Sequence, residues 1–325
     1  MLLSLKNIIK ISLKNIYMDA TIDIAIKQVH KGQDEARYFK IPTCQKDIDD
    51  GWYPTTDIAV VFDGHGDNFF IDQIRNIDLP SHFLKENPSE AIQITVDGLQ
   101  RKLNISYEIA CRSGTTISFV TIMKNITKKI YRIQCCWLGD SPIFLYKNGE
   151  LFFKSRSHRD INHGEMERLR KMNILSVKHE IVSLPNFDII DKNTLIEVKK
   201  NYICLRGNYC LEFTRALGHK RIIGIEPEIH SFDISLDDSI RIVLCTDGIT
   251  DMLNTDTIEE DREVLKTGSA NELIERAVER WKKEWIIKNW DKHIGEYKES
   301  IERFDENEMD DCACIIWESP YRTQK

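Results

Sequence analysis

The chain has 325 residues, 42% of them apolar, with 52 acidic against 45 basic side chains and a net charge of −7. That is enough apolar material for a packed core, while the acid excess argues against nucleic acid as a partner, which needs a basic footprint. It suits a negative cleft that collects divalent metals, and no stretch approaches the roughly 20 apolar residues of a transmembrane segment.

Residues 1–17 set Lys6, Lys10 and Lys14 four apart, with Leu2, Leu5, Ile9 and Leu13 on the other side. This is the pattern of a short, basic amphipathic helix. It fits a helix packed on the domain, or an extension upstream of a domain that starts near Met18. It also fits contact with an anionic membrane or a targeting role. Apolar patterns predict strands over 21–29, 58–62, 116–123, 130–138, 142–146, 195–205, 229–235, 240–246 and 312–317. Helical periodicity is found at 67–76, 88–104, 163–172 and 270–304. Strands mixed with paired helices, without strict alternation, predict an α+β layered fold.

There are no repeats and no Pro/Gly/Ser-rich linker, so one domain over 18–320 is expected, with added length near 170–205 and 270–305. In the second of these, Trp281 and Trp285 stand four apart, which puts them on one helix face. They either pack on the domain or make the segment near 281–290 a partner-docking helix. The nine cysteines are an odd number, none spaced Cys-x-x-Cys, and Cys135, Cys136, Cys204, Cys245 and Cys314 lie in apolar runs. Free thiols there behave as small hydrophobes. They favour a reducing, intracellular compartment and a cytoplasmic location. Cys312-x-Cys314 reads as packing more readily than as a soft-metal site.

The chemistry gathers at strand ends. The run Ile58-Ala59-Val60-Val61-Phe62 ends in Asp63-Gly64-His65-Gly66, and Ile242-Val243-Leu244-Cys245-Thr246 ends in Asp247-Gly248, with Asp251 one helical turn on. Asp310-Asp311 stand just before Cys314-Ile315-Ile316-Trp317. Three strands that each deliver carboxylates at one end build an oxygen-only site for hard cations.

Between and around these blocks come Ser113-Gly114-Thr115-Thr116, Leu138-Gly139-Asp140-Ser141, and Ser157-His158-Arg159-Asp160 with Glu165 and Glu167-Arg168-Leu169. Thr214-Arg215-Ala216-Leu217-Gly218 and Glu226-Pro227-Glu228 follow. Each alone is weak, since a lone Asp-Gly is usually a turn. In this order, over most of the chain, they resemble the metal-dependent serine/threonine protein phosphatases of the PP2C (PPM) family.

The resemblance implies a β-sandwich of two antiparallel sheets flanked by helices, in four layers, with metals bound between the sheets. It implies hydrolysis of phosphoserine and phosphothreonine monoesters in proteins, by a water activated between two Mg²⁺ or Mn²⁺ ions. By the same resemblance Asp63 bridges the two ions, Gly64 adds its carbonyl, Asp247 and Asp310 complete the set, and Asp34 stands near the first ion. Asp311 competes with Asp310 for its role, and the family pattern favours Asp310. His65 is implied as the general acid that protonates the departing oxygen. Asp140 and Asp251, with Asp247, match the positions of a third, weaker metal. Thr115 and Thr116 start a strand beneath the site, and His158 and Arg215 are expected to bind groups inside the fold.

The chain also departs from the family. Relatives place an arginine five residues before the equivalent of Asp34, where its fork grips the phosphate. Here that position is Val29, and Lys31 or His30 is left as a substitute, although a lysine does not reproduce bidentate geometry. Gln33 replaces Glu, Pro142 stands where Arg is usual, and His219 where Asp is usual. Weaker phosphate binding with the metal chemistry retained is the expectation. The alternative is a catalytically impaired relative that works as a binding or scaffold protein. The short path from Gly218 to Glu226 predicts a short or rebuilt flap beside the site.

Overall fold

A computed structural model describes residues 11–13, 20–29, 31–80, 113–159, 168, 171, 176–179, 182–185, 195–198, 201–205, 209–219, 226–255, 258–291, 296–305 and 308–320. Two antiparallel sheets dominate. One runs, neighbour to neighbour, Ile11–Leu13, Thr21–Lys27, Cys312–Glu318, Ile240–Cys245, Ile143–Lys147 and Glu150–Lys154. The other runs Glu228–Ser235, Ile130–Leu138, Ser113–Asn125, Thr55–Gly66 and Asp34–Pro42, with Leu217–Gly218 also paired to Ser113–Asn125.

Side chains alternate along a strand, so a continuous apolar run implies cover on both faces. Ala59 and Val61 point between the sheets, against Ile242, Leu244, Ile315 and Trp317. Ile58, Val60 and Phe62 point the other way, against Phe70, Ile71 and Ile74 of the helix Phe69–Asn76. On the far side Val243, Cys245, Cys314 and Ile316 meet Leu273, Ile274 and Ala277 of the helix Ala270–Trp281. Three buried apolar interfaces therefore join four layers, helix, sheet, sheet and helix, which is the α-β-β-α sandwich that the family resemblance implied. Cys312 and Cys314 belong to one of those interfaces, with both thiols free and buried.

Several predicted elements take a different form. The helical pattern over 270–304 holds only to Trp281; beyond it the strands Glu284–Asp291 and Glu296–Arg303 pair as an antiparallel hairpin, Glu284 opposite Arg303. The β-branched and aromatic cluster Trp285-Ile286-Ile287 favours a strand over a helix. Trp281 and Trp285 thus share no helix face, and the docking helix near 281–290 does not form. Trp281 packs on the domain, donating Nε1–H to the Gly248 carbonyl at 2.9 Å and meeting Phe304 edge-on.

Within 1–17, Ile11–Leu13 is an edge strand paired with Thr21–Lys27 and not part of a helix; the rest of that segment lies outside the described residues. The predicted strand 195–205 is two: Leu195–Val198 pairs with Val182–Pro185, and Asn201–Leu205 with Ser176–His179 and Tyr209–Leu211. Of the predicted helix 163–172 only residues 168 and 171 are described, both helical. The predicted helix 88–104, the stretch 220–225 where the flap was expected, His30, Glu165 and Glu167 lie outside the described residues. Among the described residues no helix is long and apolar enough to cross a membrane.

Candidate metal centre at the mouth of the sandwich

Strand alternation carries Asp63 to the site. Ala59 and Val61 face between the sheets, and Asp63 is the next residue on that face, at the strand's end. Asp34 opens the neighbouring strand directly opposite Asp63 in the antiparallel register. From the other sheet Thr246 follows Leu244 on the inward face and donates its hydroxyl to Asp34 Oδ2 at 2.6 Å. The chain then turns into the short helix Asp247–Thr250, which places Asp247 and Asp251 one turn apart.

The glycines after Asp63 and Asp247 have a shared steric reason. A Cβ on Gly64 would lie 2.8 Å from the Gln33 carbonyl oxygen, and one on Gly248 would lie 2.1 Å from that of Asp311. Each strand end is crossed by another piece of backbone, so only glycine fits. Gly64 N–H donates to the same Gln33 carbonyl at 3.1 Å.

Asp310 and Asp311 divide their work. Both oxygens of Asp311 are engaged at 2.6 Å, Oδ1 by Val29 N–H and Oδ2 by Gln33 N–H, which ties down the loop before Asp34. Asp310 instead feels the charges of Asp247 and Asp251. Val29 packs its side chain against the apolar interface around Cys312 and Met309, away from a phosphate-gripping role. Lys31 is exposed and close enough to act on the charge of both His65 and Asp310.

The acids repel one another. Burial, then Asp310, holds the Asp34 carboxyl well above the usual carboxylate range, against the pull of the Thr246 hydrogen bond. Burial, then Asp247 and Asp34, does the same to Asp63. Burial, then Asp247 and Asp251, pushes Asp310 up to about 8, although that residue keeps an exposed face that screens it, so the deeper Asp34 and Asp63 carry more of the effect. His65 is lowered by burial, with Asp140 and Asp247 pulling the other way. Its Nε2 lies 3.7 Å from Asp63 Oδ1, Phe213 packs edge-on against the ring, and Nδ1 makes no hydrogen bond.

This donor set fits divalent cations. Asp63, His65, Asp140 and Asp247 each offer a ligand atom within 4.8 Å of the others. Asp63 Oδ2 and Asp140 Oδ1 are buried without a hydrogen bond, which is costly for a carboxylate oxygen with nothing to meet, although Asp140 keeps Arg159 on its other oxygen. Carboxylate-rich clusters of this kind suit hard divalent cations.

A pH dependence follows. Carboxyls raised in the folded state bind protons that the unfolded chain releases near pH 4, so they favour folding below that pH. The benefit is lost as pH rises toward 8. Protein stripped with EDTA is expected to melt higher at pH 5 than at pH 8, and Mn²⁺ to stabilise it more at pH 8. Melting temperatures that do not change between these pH values would show that the acids are not crowded.

Sequence reasoning did not single out Arg159, Thr246 or Glu212. Arg159 lies among Asp140, Asp247 and Asp251, and only its place between His158 and Asp160 marked it in the sequence. His158 is buried and structural: its Nδ1 accepts from Gly139 N–H at 2.8 Å and its Nε2 lies 3.2 Å from Glu228 Oε1. Arg215 donates to the Glu226 carbonyl, and Thr115 donates to the Asp63 carbonyl.

Comparison with known proteins agrees with this architecture. Serine-threonine phosphatase 2C from Toxoplasma gondii superimposes with a TM-score of 0.53 at 13% identity, covering 96% of this chain and 98% of that one. A C. elegans sex determining protein gives 0.53 at 17% identity, covering 94% and 66%. At such identities the likeness is one of fold. A family model described as protein phosphatase 2C matches residues 56–280, and the chain belongs to that family. Protein phosphatase 1B of Homo sapiens is 28% identical over 149 residues, which is 46% of this chain and 27% of the relative. Protein phosphatase 1A of Bos taurus is 26% identical over 165 residues, 51% and 38% respectively. The matched segment therefore spans well under half the length of either curated relative.

Proposed function

We propose that the chain is a Mg²⁺- or Mn²⁺-dependent phosphatase that hydrolyses phosphoserine and phosphothreonine in proteins. The observation that carries this reading is the convergence of Asp34, Asp63, Asp247 and Asp310 at one end of the sandwich, each acting on the charge of another. Divalent cations bound there would neutralise the phosphate oxygens and acidify a bound water.

The chain's own residues do the rest. Asp63, the Gly64 carbonyl, Asp247 and Asp310 would hold the ions. Asp34 stands behind Asp63, oriented by Thr246. Lys31 meets the substrate phosphate as a point charge, since Val29 supplies no guanidinium. His65 delivers a proton from Nε2 to the departing serine or threonine oxygen.

Release of phosphate from an aryl phosphate with Mn²⁺, abolished by EDTA, tests the proposal. No metal-dependent turnover would favour the alternative, a member that binds without hydrolysis, to which the packed Val29 side chain points. His65→Ala is expected to slow alkyl phosphates on the order of a hundredfold and aryl phosphates by less than about tenfold. Aryl leaving groups need little protonation, so equal slowing of both would remove His65 from the acid role.

A further inference from the structure

Arg159 lies where several of these acids meet. Its Nε donates to Asp140 Oδ2 at 2.5 Å, its Nη1 to Asp251 Oδ1 at 2.6 Å, and its Nη2 to Asp247 Oδ2. Glu212 Oε2 lies 3.5 Å from Nη2. Four carboxylates thus surround one guanidinium, whose side chain is 21% exposed. Asp140, Asp251 and Asp247 are the acids that the family resemblance gave to a third, weaker metal.

We propose that the Arg159 guanidinium is the resident cation of that third position, so that this chain binds two divalent ions and not three. The inference rests on the two-ion reading above and concerns the neighbouring cluster.

The competition is between a tethered monovalent cation and a free divalent one. A guanidinium presents five donors in a fixed plane and stays charged at any working pH. Here three of its nitrogens make charge-assisted bonds to three different carboxylates. A Mg²⁺ or Mn²⁺ ion would need oxygens of these carboxylates at about 2.0–2.2 Å and would have to shed water to reach them. It must either break bonds that Arg159 makes or sit on the other carboxylate oxygens beside the guanidinium's positive charge. Tethering also gives the guanidinium a high effective concentration that no dissolved ion shares. The bonds of the guanidinium go to Asp140, Asp251 and Asp247 and not to Asp63 or Asp34, so the two-ion reading does not require Arg159 to move from those two acids.

The test counts Mn²⁺ ions bound per chain on the full-length protein, by native mass spectrometry and by titration calorimetry without substrate. The wild type is expected to bind two ions, Arg159→Ala three, and Asp251→Ala still two. Three ions on the wild type, or two on Arg159→Ala, would overturn the proposal. Should Arg159→Ala not fold, Asp251→Ala decides: an unchanged count of two supports the resident guanidinium, and a fall by one overturns it. A wild type that binds no Mn²⁺ would overturn the metal-dependent reading itself, and this inference with it, a result distinct from a count of three.

Discussion

Asp63→Ala is expected to reduce Mn²⁺-dependent release of phosphate by about a thousandfold or more, because the ions that Asp63 would help to hold supply several kcal/mol of charge stabilisation. The residue ends a strand whose other side chains are packed on both faces, and it meets Asp34 across the register and Asp247 from the opposite sheet. No neighbouring carboxylate can move into its place without disturbing that packing. The same substitution removes a charge that its neighbours repel, so the metal-free variant should melt no lower than the metal-free wild type. That pairing separates chemistry from folding: activity lost with stability kept is the expected outcome. Turnover within tenfold of wild type at saturating Mn²⁺ would remove Asp63 from the bridging role, and a large fall in melting temperature in EDTA would mean that the carboxylates do not repel as described.

Strands buried on both faces were legible in the sequence, and so was the largely uncovered Glu228–Ser235, read as 229–235. Ile130–Leu138 was readable to the residue and Ile240–Cys245 nearly so, because sheets covered by helices leave uninterrupted apolar runs, while 58–62 caught only the middle of Thr55–Gly66. Asp34–Pro42 escaped: its charged, half-exposed side chains at a sheet edge show no clean alternation. The hairpin after Trp281 read as helix because glutamates and lysines dominate its composition, and its pairing of residues up to 19 apart has no local mark. The acids of the candidate centre were visible as strand-end motifs. Arg159 was not, since its bonds to Asp247 and Asp251 join residues 88 and 92 apart. Likewise nothing in the pair Asp310-Asp311 says that one carboxylate is used up by two backbone N–H groups 278 and 282 residues away.

Behind the centre a second ionic cluster holds the turn that carries Asp247 and Asp251, and Asp261→Ala is expected to destabilise the protein by about 3–5 kcal/mol. Asp261 is fully buried. Its Oδ1 accepts from Arg276 Nε at 2.6 Å and from Arg280 Nη2 at 2.7 Å; its Oδ2 accepts from Arg280 Nη1 at 2.6 Å and from Asn254 N–H at 2.7 Å. Arg280 also donates to the Met252 carbonyl. One carboxylate therefore clamps the loop after Asp251 to the helix Ala270–Trp281, whose last residue bonds Gly248. Alanine would leave two guanidiniums without their shared partner at the back of the site. For a domain of this size the loss corresponds to a fall in melting temperature of roughly 4–7 °C. Because the clamp positions Asp247 and Asp251 without touching them, the variant should also bind Mn²⁺ more weakly at temperatures where it remains folded. Asp261→Asn, which keeps two of the acceptor contacts but not the charge, should fall between the two. A melting temperature within a degree of wild type would show that the two arginines find other partners and that the turn stands without this support.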